Sequence, residues 1–167
     1  MSIGLIVTRG LGNGTLSGTI AGIVLEGFES GGADITAPTL SSPTATATGT
    51  TTGSGTVTTD EAGTGYYIVT TVSGTPTYTQ IQAGQDSSGT ATAVIDDNHL
   101  SPASWTVGSN AISITGGTAN TLYYVYYQED DSSGNHSAVA GSSFTTLGTG
   151  GSALPSNTFF HFFMRSE

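Results

Sequence analysis

The chain has 167 residues, of which 25 are Gly and none is Cys, and 2 Lys or Arg stand against 12 Asp or Glu for a formal net charge of -10. Charged residues make up only 8%, about a third of the usual quarter, and frequent Thr favours pleated strands over helices. The two cations, Arg9 and Arg165, form no basic surface, so we expect neither nucleic-acid nor membrane binding. The lack of Cys excludes thiol catalysis and thiolate metal sites.

Residues 1–33 are predicted to be an N-terminal β attachment segment, because they contain two apolar runs, residues 3–7 and 20–25, separated by a Gly-rich loop. Each run is predicted to form a short strand that is apolar on both faces and must be covered from both sides. The cover comes either from this protein, as a hairpin packed on its own domain, or from a neighbouring subunit. The residues predicted to dock are Ile3, Leu5, Val7, Ile23, Val24 and Leu25.

Residues 34–147 are predicted to form an antiparallel β-sandwich, because short β-prone segments alternate there with Gly, Ser, Asp and Pro. The predicted strands cover residues 39–41, 52–59, 66–72, 90–95, 104–107, 111–114, 122–129 and 137–146. Residues 77–83, closed by Gly84, are the only helix-like stretch and fit one or two turns between strands. The predicted fold class is therefore all-β.

The longest predicted strand carries a run of tyrosines. Period-two alternation places the odd-numbered side chains of residues 123–127 on the core face. Tyr124 and Tyr126 fall on the opposite face, which we expect to look outward and which is a candidate ligand or partner surface, for example for sugar stacking. In the alternative that we prefer, these two tyrosines only stiffen the sheet and Trp105 fills the core.

Residues 148–167 are predicted to be a Gly- and Ser-rich linker followed by a docking strand. The run over residues 158–164 is apolar on both faces, so an isolated strand of this sequence would be sticky. Each large side chain gains about 1.5–3 kcal/mol on full burial, which indicates that this end docks against the N-terminal strands or into another subunit. The docking residues predicted here are Phe159, Phe160, Phe162, Phe163 and Met164.

The candidate bases for a hydrolytic triad are His99, His136 and His161, and the many Ser and Thr place hydroxyls near them by chance. We therefore predict no catalytic residue. The acidic clusters at residues 96–98 and 129–131 suggest calcium, yet neither has the calcium-loop spacing with its invariant Gly, and Asp and Asn also cap turns. We predict no metal site and no cofactor, and the calcium alternative gains weight if the two turns meet at one end of the sandwich.

Four segments of the middle region carry a family resemblance. They are ITAPTLSSPTATATGTTTGSGTVTTDEAGTGYYIV at residues 35–69, QAGQDSSG at 82–89, TLYYVYYQEDDSSGNHS at 121–137 and SSFTT at 142–146. These segments resemble the fibronectin type III or immunoglobulin-like domains of bacterial surface proteins and of virion proteins of tailed bacteriophages.

In that family a Pro opens the first strand, an acidic turn follows the second, and a Thr-x-Tyr corner starts the penultimate strand. The matching positions here are Pro38, residues 60–61, and Thr121 with Tyr123, and an Asp-x-x-Gly-Asn turn follows at residues 131–135. The resemblance implies that Tyr123 hydrogen-bonds to upstream backbone and is structural, not catalytic.

The run LIVTRGLG at residues 5–12 is similar to the Gly-rich openings of small structural proteins of tailed phages. Together the resemblances imply a non-enzymatic virion protein, made in the host cytoplasm and placed on the capsid exterior as a decoration or cement protein. Its expected partners are the major capsid protein or other virion subunits, and a homo-oligomer, such as a trimer with swapped tails, would cover both faces of each terminal strand. A neck or tail fibre subunit and a carbohydrate-binding adhesion module with weak host-surface glycan contact stay open as alternatives.

Overall fold

The computed structural model describes residues 32–150 and, of the preceding segment, the backbone of residues 19–20 and 23–24. The chain divides into two compact units, Met1–Asp34 and Ile35–Glu167. The described strands of the first unit form a short hairpin, and those of the second unit form two larger sheets.

In the first unit, β1 (Thr19–Ile20) pairs with β2 (Ile23–Val24) as an antiparallel hairpin. The expectation of one continuous strand over residues 20–25 is therefore wrong, because residues of this run belong to two strands that pair with each other. Gly22 stands between them in the sequence, and Gly weakens a strand interior. The other strand predicted in this region, residues 3–7, lies outside the described residues.

The second unit contains eight strands and one short helix among the described residues. The strands are β3 (Leu40–Ala47), β4 (Gly53–Thr59), β5 (Gly63–Thr70), β6 (Val94–Asp97), β7 (Ala103–Trp105), β8 (Gly108–Ile114), β9 (Leu122–Asp131) and β10 (Ala140–Thr145). Each strand predicted for this region overlaps one of these, which confirms a mostly β fold.

Two antiparallel sheets make up the second unit. The first has the order β3-β4-β8, and the second has the order β10-β9-β5-β6, with β7 also pairing with β5. The consecutive strands β4 and β5 lie in different sheets, as do β8 and β9, so the chain crosses between the sheets in the manner of a Greek key. Side chains from both sheets meet in one buried cluster, which makes the arrangement a β-sandwich.

Strand β3 is longer than the segment predicted for it, residues 39–41, because the strand continues beyond Pro43. Its register with β4 shifts between Ser41 and Thr44, and Ser42 has a φ of 49°. Pro is tolerated at bulges and on edge strands, where its missing N–H leaves no ladder bond unmade. The Ser-Pro sequence therefore marks an irregularity inside this edge strand and not its end.

Helix α1 (Tyr78–Gln82) occupies the helix-like stretch that the sequence predicts. Its N-cap is Thr77, where Gln80 N donates to Thr77 Oγ1 (3.3 Å) and Thr77 N donates to Gln80 Oε1 (2.8 Å), a capping box. Gly84 follows with a φ of 65°, the left-handed conformation that ends helices. No helix in residues 32–150 is long and apolar enough to cross a membrane.

The core between the sheets is filled by large side chains from β9 and small ones from β4. The inward residues of β9 include Tyr123, Val125 and Tyr127, and each is at most 2% exposed. The Tyr127 hydroxyl donates to Thr44 O (2.8 Å) in the opposite sheet. A Cβ on Gly55 of β4 would lie 2.1 Å from the same hydroxyl oxygen, so Gly leaves the room that this contact needs.

Tyr123, the aromatic residue of the predicted Thr-x-Tyr corner, accepts a hydrogen bond on its hydroxyl from Thr118 N (2.8 Å). This is the upstream backbone contact that the resemblance implies for Tyr123. Beside it, Thr121 N donates to Thr146 Oγ1 (3.0 Å), which fastens the start of β9 to the end of β10.

Candidate functional site

The candidate ligand surface lies on the outer face of β9, where Tyr124 and Tyr126 line a shallow groove with Thr75 and Gly141. Tyr126 is only 5% exposed, and its hydroxyl donates to Ser73 O (2.8 Å). Tyr124 is half-buried. The expectation that both rings look outward is therefore wrong for Tyr126.

Part of the outer face of the second sheet is covered, because helix α1 packs on it over Ile68 and Tyr126. Ile81 of α1 is fully buried in a second apolar cluster with Ile68 and Tyr126. Burial raises the pKa of Tyr126, and the neighbouring Tyr124 raises it further. A ligand surface here would thus rest on Tyr124 rather than on two exposed rings. Trp105 lies in the core between the sheets, which confirms the interpretation preferred for it.

Two of the three candidate bases lie among the described residues, and each pairs with a carboxylate. His99 Nδ1 is hydrogen-bonded to Asp97 Oδ1, and His136 Nδ1 is hydrogen-bonded to Asp130 Oδ1 (2.6 Å). The His136 ring also stacks on Tyr78, with ring centroids 4.1 Å apart. Within residues 32–150 neither imidazole is hydrogen-bonded to a Ser or Thr hydroxyl, so the Asp-His pairs do not extend to a nucleophile. The third base, in the Phe-rich run, lies outside the described residues.

The two acidic clusters do not share a site in residues 32–150. Asp96 lies opposite Val69 of β5 whereas Glu129 lies opposite Gly65. Asn98 of the first cluster does reach Gly65, since its Nδ2 donates to Gly65 O (2.9 Å), but no group of three acidic or His side chains with ligand atoms within 4.8 Å combines the two clusters among the described residues. Asp96 Oδ2 instead accepts from Thr115 N (2.6 Å), which ties β6 to the end of β8. The calcium alternative in which the two turns meet is therefore not supported.

The acidic end, defined as residues 59–63 and 129–131, is the end of the sandwich where β4 and β9 finish and β5 begins. Carboxylate oxygens of Glu61 and Asp131 lie within 4.8 Å of one another there. Asp131 accepts from the side chain and backbone of Asn135, and these hydrogen bonds lower the pKa of the Asp131 carboxyl. Sequence-local turn contacts thus hold this carboxylate ionised at the surface of the acidic end.

Glu129 is the buried member of the acidic end. It is 0% exposed, and Thr59 Oγ1 donates to its Oε2, whereas its Oε1 has no hydrogen-bond partner. Burial raises the pKa of Glu129, the Thr59 hydrogen bond lowers it, and the charges of Asp60, Glu61 and Asp130 raise it further. A buried carboxyl oxygen without a partner is costly. Glu129 Oε1 shares this property with Asp86 Oδ2, another buried carboxyl oxygen without a hydrogen-bond partner among residues 32–150.

Sequence reasoning places Glu129 at the end of the predicted strand over residues 122–129 and in an acidic cluster interpreted as a turn, and it misses the burial of Glu129. The signal that could have found it is the alternation along β9, because Glu129 has the same parity as Tyr123 and Tyr127 and so points between the sheets. A fully buried acidic residue at an inward position of a strand is unusual unless it is paired.

The predicted docking residues lie outside the described part of the chain, except for the backbone of Ile23 and Val24 in β2. The others are Ile3, Leu5, Val7, Leu25, Phe159, Phe160, Phe162, Phe163 and Met164. Their role in docking stays a prediction.

No protein-family model matches the chain, and no curated protein matches it either. Three features of the chain bear on its function: the sandwich, the groove at Tyr124, and the apolar runs at the two ends of the sequence.

Proposed function

We propose that the chain is a non-enzymatic structural protein of a tailed-phage virion, a decoration or cement protein whose terminal segments dock on the capsid. We further propose that its sandwich is of the fibronectin type III or immunoglobulin-like kind. The Greek-key strand order and the hydrogen bond between Thr118 N and the Tyr123 hydroxyl support this second point, since a tyrosine corner is typical of such domains.

The observation that carries the cement role is that the chain enters the sandwich at one end and leaves it at the other. Strand β3 begins with Leu40 opposite Thr59, at the acidic end. Strand β10 finishes with Thr145 opposite Leu122, at the start of β9 and thus at the far end. A strand of ten residues such as β9 spans about 30 Å. Segments that continue from the two ends of the sandwich therefore start about one sandwich length apart, which suits a protein fastened at two points.

The surface of the sandwich suits a subunit whose middle region faces water. Large apolar residues that are exposed in residues 32–150 are few and spread along the chain, namely Ile35, Tyr78, Leu100, Val107, Leu122 and Leu147. The apolar runs predicted to dock lie at the ends of the sequence instead. Attachment by strand addition needs only unpaired backbone edges and apolar pockets, which such runs can use.

The test is to add tagged chain to particles that lack it and to measure how much sediments with them. Deletion of residues 158–164 is expected to abolish binding while the circular dichroism and the Trp105 fluorescence of the sandwich stay unchanged. A Tyr124→Ala variant is the matched control and is expected to bind as the intact chain does. Full binding by the truncated chain contradicts the proposal. A copy number near that of the shell subunit supports decoration, whereas a few copies per particle support the neck or tail fibre alternative.

The groove at Tyr124 favours one candidate from a different class, a carbohydrate-binding adhesion module. An aromatic ring at a shallow groove can stack on a sugar face. A glycan array probed with the intact chain and with Tyr124→Ala decides this point, because a decoration protein without a glycan ligand gives no signal in either case. Tyr126→Ala adds little information, since its buried hydroxyl anchors the segment at Ser73.

A further inference from the structure

Glu129 carries a carboxyl group that is buried between the two sheets at the acidic end. It is 0% exposed, and Thr59 Oγ1 of the opposite sheet donates to its Oε2. Among residues 32–150, Oε1 has no hydrogen-bond partner. An ionised carboxylate offers about four acceptor sites, and burial of an unpaired charge costs far more free energy than burial of a neutral polar group. The surroundings of Glu129 therefore suit its protonated form.

The charged groups close to Glu129 are carboxylates. Asp60 and Glu61 lie in the turn between β4 and β5, and Asp130 follows Glu129 in β9. Burial is the main cause of the raised pKa of Glu129, and the charges of these three residues raise it further. The described part of the sandwich contains neither Lys nor Arg to offset them, and His136 is paired with Asp130 (2.6 Å). Repulsion thus adds to the cost of an ionised Glu129.

The other elements around Glu129 bring no positive charge. Strand β5 faces it with Gly63, where a Cβ would lie 2.9 Å from Glu129 Oε1, and strands β3, β7 and β8 contain no titratable residue. The next inward residue of β9 is Tyr127, which is neutral in acid and neutral solution because burial raises its pKa. Asp131, on the other side, stays ionised because hydrogen bonds within its turn lower its pKa.

Asp86 shows how a buried carboxylate keeps its charge in this sandwich. Its Oδ2 also has no hydrogen-bond partner among residues 32–150. Its Oδ1, however, accepts from the Ser88 hydroxyl and from Ser88 N (2.8 Å), and these hydrogen bonds lower the pKa of Asp86. Glu129 has a single donor and a raised pKa, so the two buried carboxyl groups differ in the form that the fold favours.

We propose that Glu129 is a proton-binding residue that tightens the acidic end of the sandwich when the solution becomes acidic. Uptake of one proton removes the charge that Asp60 and Glu61 repel, and so lowers the repulsion at the turn between β4 and β5. The same turn holds the entry of the chain, because Asp60 Oδ1 accepts from Thr39 N (2.7 Å) directly before β3. The proton thus acts where the chain enters the sandwich, and the proposal does not depend on the virion role.

Acidification is therefore expected to stabilise the sandwich. Because the folded chain binds this proton more tightly than the unfolded chain, the stabilisation is complete below the ordinary Glu pKa of 4.5 and is lost as pH rises through the higher folded pKa. Urea denaturation of the full chain from about pH 8.5 to about pH 5 measures it. The urea midpoint of the natural chain should rise as pH falls, and this rise should be markedly smaller in Glu129→Gln, which keeps both His–Asp pairs.

Nuclear magnetic resonance of the full chain, with carbon-13 in the Glu side chains, observes the proton site directly. Through-bond assignment identifies the carboxyl signal of Glu129, which should titrate above the ordinary value of 4.5. Glu61→Gln removes a neighbouring charge and should move this titration to lower pH. Thr59→Val removes the hydrogen bond to Oε2 and should move it to higher pH.

Asp86→Asn is the matched control, because it neutralises the other buried carboxyl group that has an unpartnered oxygen among residues 32–150. It should keep the full rise of the urea midpoint on acidification. The proposal is overturned if the Glu129 signal titrates at or below 4.5, or if Glu129→Gln shows the same rise as the natural chain. If Glu129→Gln does not fold, the titration of the natural chain and the opposite shifts in Glu61→Gln and Thr59→Val decide the question.

Discussion

Strands β4 and β9 face each other across the sandwich, and their inward residues differ in size at most levels. From β4 come Gly53, Gly55, Val57 and Thr59. From β9 come Tyr123, Val125, Tyr127 and Glu129. Close packing needs small residues opposite large ones when the distance between sheets is fixed. The excess of Gly in the composition is therefore in part a packing feature of one sheet, and not only a feature of turns.

The two strands also differ along their length. Near the middle, Gly55 makes room for the Tyr127 hydroxyl, next to Thr44 O and the Ile112 side chain. At the acidic end the facing pair is Thr59 and Glu129, and both are buried polar residues joined by a hydrogen bond. The alternation that places Tyr123 and Tyr127 in the core therefore also places the carboxyl group of Glu129 at the end of the core.

Gly55→Ala should have the largest effect on stability, because it places a larger residue on β4 directly opposite the large Tyr127 of β9. The new Cβ would lie 2.1 Å from the Tyr127 hydroxyl oxygen and 2.8 Å from Thr44 O, which is backbone and cannot move freely. We expect a loss of about 2–3 kcal/mol in the free energy of unfolding, measured by urea denaturation. Gly148→Ala is the control, since a Cβ there meets nothing within 4 Å. Equal stability of the two variants would show that the core has room for a methyl group at position 55, contrary to the close contact with the Tyr127 hydroxyl.

Alkaline pH should act through the sheet that contains β5 and β9, because Tyr67 and Tyr127 lie there whereas β3, β4 and β8 contain no Tyr. Burial, with Asp96 and Asp97 nearby, raises the pKa of Tyr67 to about 12, and burial raises the pKa of Tyr127 as well. Both folded values lie above the unfolded value of about 10. The stabilisation is therefore complete below about pH 10 and is lost as pH rises through the folded values.

Tyrosinate absorbance recorded beside circular dichroism from about pH 9 to 12 checks this expectation. The tyrosinate signal of Tyr67 and Tyr127 should appear only together with the loss of the folded circular dichroism. Titration of every tyrosine near the ordinary value in a folded protein would contradict the burial of Tyr67 and Tyr127.

Much of the fold could be predicted from the sequence where the signal is local. The alternation of residues 122–129 separates the core-facing tyrosines from the outer ones correctly, and Thr77 with Gly84 bounds the helix. The length of β3 could not be predicted, because Pro43 would end a central strand but is tolerated inside an edge strand such as β3. The edge position is a property of the strand order, which no local pattern contains.

The candidate site could be predicted only in part, for the same reason. Tyr126 has the outer parity, yet it is buried because α1 covers that face, and a helix of five residues gives no sequence signal for where it docks. Glu129 has inward parity, but the hydrogen bonding of its two carboxyl oxygens depends on other strands, which among residues 32–150 supply Thr59 as a donor to Oε2 and none to Oε1. Contacts between distant residues decide both outcomes.

Tyr127→Phe tests the contact between β4 and β9 at a single atom. It removes the hydroxyl that donates to Thr44 O (2.8 Å), for a loss of about 1 kcal/mol in the free energy of unfolding. It also removes the atom nearest to a Cβ at position 55. Gly55→Ala should therefore cost less in the Tyr127→Phe protein than in the natural chain, and a double-mutant cycle in urea measures the difference. Strict additivity would mean that the two residues do not share one space.

Thr77→Ala should have the smallest effect on stability, and this effect should be confined to the outer face of the sheet that contains β5 and β9. It removes the capping box with Gln80, at a cost of about 1 kcal/mol to helix α1. Because Ile81 covers Ile68 and Tyr126, amide hydrogen exchange should speed up in the helix and in the segment at Ser73, while amides of β4 and β8 stay protected. Thr106→Ala, at an exposed position between strands, is the control. Faster exchange throughout both sheets in Thr77→Ala would mean that the helix belongs to the cooperative core, and that the outer cluster and the inner core unfold as one.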